Sequence, residues 1–297
     1  MSEKNRGIVS VCIAAWLYSL TSICARLLGT TFSPFFQTMT MSALVAVAYL
    51  VMGWKQRVFI RIRSQDIRWY AIIAVSAAVT QISFYFAVNR LPLATTIFFF
   101  YASVLVFGYG IGSTVFHEQL TRRKWIALFC AAGGLWLLSA GSLDLQDPLA
   151  MLCASLSGMS FHAISLFSKK ISDRYSIVQI NSIGFLAQCG VSGLAFLLSA
   201  ELGYYAFISW PWAVQLIYAG IYLLAAYCVL VGFRYIEAQQ GSLILLSELV
   251  FVTLYGYVFF AEQLTWMSLA GCLCIGIGLL IPHLGSKQAG VLGGANG

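Results

Sequence analysis

The 297-residue chain is 60% hydrophobic and only 9% charged, with a mean hydropathy of +0.86 and a formal net charge of +7. A soluble domain carries roughly 25% charged residues, so this chain lacks the polar groups to clothe a water-facing surface. Lipid must cover it, and a soluble fold is excluded.

The N-terminal segment carries Lys4 and Arg6 and leads into an apolar stretch over residues 7–28. That stretch outruns a secretory h-region, and no small-residue cleavage site follows, so it is expected to stay as the first helix. With about 20 apolar residues needed per crossing, spans are predicted near 7–28, 34–54, 68–88, 92–116, 123–141, 148–168, 177–199, 211–233, 240–260 and 265–283. The shortest joint is Asn89–Leu91, ahead of Pro92. Pro34, Pro92, Pro148, Pro211 and Pro282 all fall at or near predicted helix ends, where a missing N–H costs least. The glycine-rich tail 285–297 is expected to be disordered.

Ten spans put both termini on one side, and the cations agree. Fifteen of the 17 Lys and Arg residues fall in the termini and even-numbered loops, leaving Arg26 and Arg90 opposite. By the positive-inside rule both termini are cytoplasmic and the protein is multi-pass in the cytoplasmic (inner) membrane. The basic excess is thus a topology signal, and no nucleic-acid partner is expected. All eight cysteines lie in apolar stretches and read as small hydrophobes. Neither a metal nor any other cofactor is called for.

Sliding the chain along itself by 144 residues reveals a repeat. Arg90 meets Arg234, Ser103-Val104-Leu105-Val106-Phe107 meets Ser247-Glu248-Leu249-Val250-Phe251, and Glu118-Gln119-Leu120-Thr121 meets Glu262-Gln263-Leu264-Thr265. The halves are placed at 1–146 and 147–284. Five spans each make the second half inverted relative to the first, an architecture of secondary transporters that bind solute near the midplane. The fold class expected is an all-α polytopic membrane protein of two inverted five-helix repeats.

With the motifs Phe116-His117-Glu118-Gln119-Leu120-Thr121 and Phe260-Ala261-Glu262-Gln263-Leu264-Thr265, each closing a fourth or ninth span, the chain resembles the drug/metabolite transporter superfamily, in particular its ten-helix EamA-type family. It departs from that pattern in two ways. His117 and Ala261 stand where glycine is usual before the glutamate, and Leu105 and Leu249 replace a mid-helix proline. The resemblance implies a central cavity exposed alternately to each side, with spans five and ten at the periphery as a possible homodimer contact.

Glu248 is the leading candidate residue. It sits mid-span with no charge for ten residues on either side, and an acid at that depth is a functional candidate by default. Its role would be substrate contact or proton coupling. His162, deep in span six, is a second coupling candidate because histidine titrates near neutrality. Trp16, Gln81, Tyr85, Tyr101, Tyr222, Tyr227 and Ser247 complete the expected binding set, since solute cavities combine aromatic walls with a few convergent polar groups. Gln37, Gln179, Asn181 and Gln188 read more simply as polar glue between helices. No enzyme constellation and no ATP-binding segment is present, so gradient-coupled or facilitated transport of a small amphipathic metabolite, amino acids first, is expected. A larger nucleoside- or cofactor-like solute is the alternative, and a channel the less favoured one.

Overall fold

A computed structural model describes residues 2–28, 31–140, 143, 145–199, 209–261 and 263–283. Glu262 and the glycine-rich tail lie outside the described residues, as does the side chain of Arg26. The described residues contain ten α-helices: α1 Glu3–Leu28, α2 Pro34–Gln56, α3 Ile67–Val88, α4 Leu93–Thr114, α5 Arg122–Ser139, α6 Pro148–Ser168, α7 Ile177–Leu198, α8 Trp210–Tyr235, α9 Ala238–Phe260 and α10 Trp266–Leu280. All ten predicted spans are present. The differences are at the ends: α1 starts four residues early, and α10 gives way to a 3-10 turn over Ile281–His283. Eight helices are long and apolar enough to cross a membrane on those grounds alone; α5, opening on Arg122-Arg123-Lys124, and the shorter α10 complete the set.

Helix pairing carries the duplication. The repeat relates α1 to α6, α2 to α7, α3 to α8, α4 to α9 and α5 to α10. The pair α1–α8 therefore maps onto α6–α3, and α4–α6 onto α9–α1; all four pairs are extensively packed. The pairs α2–α7, α4–α9 and α5–α10 map onto themselves and so straddle a pseudo-two-fold axis. At α5–α10 the symmetry is visible residue by residue. Gly134 lies against the backbone of Gly271 and Ile275, while its mate Gly278 lies against Ala127 and Ala131, the mates of those two residues. Two inverted five-helix repeats thus interlock instead of standing side by side.

The repeated tetrapeptide builds helix junctions. His117 and Ala261 adopt φ of 54° and 53°, the left-handed region that favours glycine. Thr121 and Thr265 then cap α5 and α10, accepting from the backbone N–H of Lys124 and Ser268, which satisfies an orphan donor of the first turn. The small residues of α4 allow close approach: Gly108 faces Ser242 and His162, and Gly112 faces Glu118 and Gln239.

Candidate functional site

Where the two repeats meet at mid-membrane, aromatic rings form a continuous wall. Phe100 (α4) packs on Phe161 (α6) at 5.5 Å between ring centroids, Phe161 on Tyr18 (α1) at 5.7 Å, Tyr18 on Tyr222 (α8) at 5.3 Å, and Tyr222 on Phe185 (α7) at 5.8 Å. Most contacts are edge-on, the geometry that ring quadrupoles prefer. Glu248, the eleventh of 23 residues in α9, reaches into this wall. The Tyr101 hydroxyl donates to its carboxylate, and Tyr18 and Tyr222 stand within its electrostatic reach. A partly buried acid at mid-helix therefore faces a group of tyrosines, with the Tyr101 phenol as its hydrogen-bond partner among the described residues.

Rings of this wall, Tyr18, Phe161 and Tyr222 among them, also line a cavity of about 50 Å³ together with Thr80, Asn181 and Gln188; Glu248 itself is not part of that lining. Asn181 and Gln188 thus line the cavity, where the sequence favours the simpler reading as glue between helices. Their signal is spacing: Asn181, Gly184, Phe185 and Gln188 fall at i, i+3, i+4 and i+7, one stripe of a helix. Gln81 stands behind Gln188 and bridges it to Thr38.

The remaining sequence candidates disperse. Ser247 turns its hydroxyl back onto the Ile244 carbonyl, and Tyr85 packs against Phe35. Trp16 is 44% exposed and shares an outward stripe with Cys12 and Ile13; Tyr227 lies on a similar stripe of α8 with Ile217 and Leu224. Both point to where lipid would be, away from the chamber.

His162 has its own compartment. It is fully buried, its ring packs on Phe233 at 5.3 Å, and its Nε2 lies 2.7 Å from Ser242 Oγ. Ser242 already donates its one proton to the Ala238 carbonyl, so His162 must donate through Nε2. Nδ1 has no partner among the described residues. That arrangement suits a neutral ring. Ser242 precedes Glu248 by six residues on α9, about 9 Å of helical rise, and the two candidate coupling residues keep separate neighbours.

Polar contacts between the repeats gather at the membrane face that carries the N-terminus. Glu118, after α4, accepts from the backbone N–H groups of Ala238 and Gln239 at the start of α9, at 2.7 and 3.2 Å. Lys169 lies 3.7 Å from the same carboxylate and donates to the Ile236 carbonyl. Burial pushes the Lys169 ammonium below its ordinary pKa, and Glu118 pulls the other way. Nearby, Lys124 pairs with Glu237 at 2.8 Å. On the other side of the same face, Arg174 forks onto Asp66 at 2.8 and 3.1 Å, and Tyr175 donates to Asp66 at 2.9 Å. Gln179 brackets the backbone of Ile60 as both donor and acceptor. None of these contacts is announced by local sequence, because the partners lie about 50 to 120 positions apart.

Comparison with known proteins agrees with this geometry. The model of the EamA-like transporter family matches twice, over residues 5–140 and 148–282. An uncharacterized transporter of Archaeoglobus fulgidus is 27% identical over 171 residues, 57% of this chain; the chain spans 60% of the length of that curated relative. A crystal structure superposes with a TM-score of 0.83 over 96% of this chain and 99% of the other, at 14% identity, a likeness of fold alone.

Proposed function

Because the chain belongs to the EamA-like transporter family, within the drug/metabolite transporter superfamily, we propose that it carries a small amphipathic metabolite, amino acids foremost, across the cytoplasmic membrane by alternating access. The observation that carries this reading is Glu248, set in an aromatic chamber whose walls come from both repeats. Desolvated acids within a membrane bundle mark solute or ion paths, and sites of inverted-repeat carriers lie at the repeat interface. The N-terminal face is the cytoplasmic one, and it is the face that the Glu118 and Asp66 contacts hold shut.

Counterflow of labelled amino acids into proteoliposomes tests the reading. Wild-type protein accumulates label against preloaded solute, as a carrier does and a channel does not. Glu248→Gln, expressed and monodisperse, loses that activity. Wild-type counterflow in Glu248→Gln would remove Glu248 from the transport path.

A further inference from the structure

We infer that the group seated in this cavity is an ammonium bearing N–H donors, and that Asn181 and Gln188 select it because the fold fixes both amides with their oxygens toward the solute. The inference rests on the reading of the cavity as the solute site.

Amide orientation is settled by proton bookkeeping along two relays. In the first, the Tyr49 hydroxyl lies 2.6 Å from the Leu223 carbonyl, which can only accept, so Tyr49 spends its one proton there. The Asn181 atom 3.0 Å from that hydroxyl must therefore donate, which makes it Nδ2. Asn181 Oδ1 is left without a protein partner among the described residues, on a side chain that lines the cavity.

The second relay is longer. Thr38 donates to the Pro34 carbonyl at 2.9 Å, so the Gln81 atom 2.8 Å from Thr38 Oγ1 is the Nε2 donor. Gln81 Oε1 then accepts, and the Gln188 atom that meets it at 3.4 Å is again Nε2. Gln188 Oε1 is free for the cavity. Thr80 adds no donor, because its hydroxyl is committed to the Ser76 carbonyl at 2.7 Å.

Two amide oxygens thus supply lone pairs to one cavity, walled by the rings of Tyr18, Phe161 and Tyr222, and the Glu248 carboxylate lies within electrostatic reach of two of those rings, Tyr18 and Tyr222. Ring faces attract any cation, methylated or not. Amide oxygens reward only a cation with N–H to give. An ammonium satisfies both kinds of wall, whereas a trimethylammonium satisfies the rings alone.

The test is calorimetric titration of the purified full chain with 2-phenylethylammonium and with its N,N,N-trimethyl analogue. Wild type binds the primary ammonium at least about tenfold more tightly, the loss expected for one hydrogen bond to a charged group. Asn181→Leu and Gln188→Met each bring the ratio toward one by weakening the primary ammonium, with the trimethyl probe unchanged. Asn181→Asp and Gln188→Glu, which keep size and the oxygen toward the cavity while forfeiting the amide donor to each relay, retain the preference and serve where an apolar variant aggregates. Equal wild-type affinity for the two probes, a preference that survives both apolar variants, or no binding of either probe overturns the inference. Glu248→Gln separates the levels. If it weakens both probes while the ratio is already one, only the amide selection fails; if it leaves both bound as in wild type, the solute-site reading fails too.

Discussion

Glu118 closes the first turn of α9 from outside that helix: its Oε1 lies 2.7 Å from the Ala238 backbone nitrogen, across the boundary between the repeats. A carboxylate there satisfies donors that no residue of α9 itself supplies, since Glu237 makes no side-chain cap bond. It also complements the positive end of the helix dipole. Glu118→Ala should lower stability by about 1–2 kcal/mol, and Glu118→Gln by less, because the amide oxygen still accepts. Thermal unfolding in detergent checks the order; equal loss in both would mean that charge, and not the cap, is what matters.

The left-handed junctions predict a gain. His117 and Ala261 each hold a conformation that costs an L-residue roughly 1–2 kcal/mol, while glycine gives back about 0.5–1 kcal/mol in chain entropy. His117→Gly and Ala261→Gly should therefore each raise stability by up to about 1 kcal/mol, and His117→Val should lower it. A lower melting temperature in both glycine variants would show that their side chains contribute more than the backbone loses.

The Asp66–Arg174 pair should respond unequally to its two deletions. Asp66 is 2% exposed, whereas the Arg174 side chain is 48% exposed. Arg174→Ala strands a buried carboxylate on Tyr175 alone and should cost about 3 kcal/mol, the lower end for breaking a buried pair. Asp66→Ala frees a guanidinium that water can reach, and should cost roughly half as much. Denaturant midpoints of the two variants decide it, and the reverse order would contradict the burial argument.

Ser242→Ala leaves the His162 Nε2–H buried with nothing to accept it, a loss of about 1–3 kcal/mol. Because His162 stands apart from the chamber, counterflow by the folded variant should be preserved. Loss of counterflow without loss of stability would return His162 to the transport path.

The fold was legible in the sequence because its signals are long-wavelength: apolar runs of crossing length, cations alternating by loop, and a 144-residue offset anchored by Glu118-Gln119-Leu120-Thr121. Facing was not. On a helix apolar all round, a side chain turned to lipid and one turned to the chamber look alike, which is why Trp16 and Tyr227 stood beside Tyr101 and Tyr222 as candidates. Polar residues break that degeneracy. Glu248 was legible by depth alone, and the Asn181 stripe was present as spacing. The Asp66–Arg174 contact and the Glu118 cap needed three dimensions, since nothing local specifies a partner in the other repeat.

The duplication at α5–α10 is nearly even-handed, but the ends of the molecule are not. Positions equivalent to Asp66 and Arg174 under the repeat are Trp210 and Thr30, so this ion pair has no symmetric twin; the opposite face carries a different and longer one between the repeats, Arg90 with Asp147 at 3.6 Å. A carrier made of matched halves would rest equally often open to either side. On the alternating-access reading proposed above, an unmatched pair would lengthen the dwell of the posture it closes. On that reading, substitutions at Asp66 and Arg174 would change loading kinetics without touching the solute.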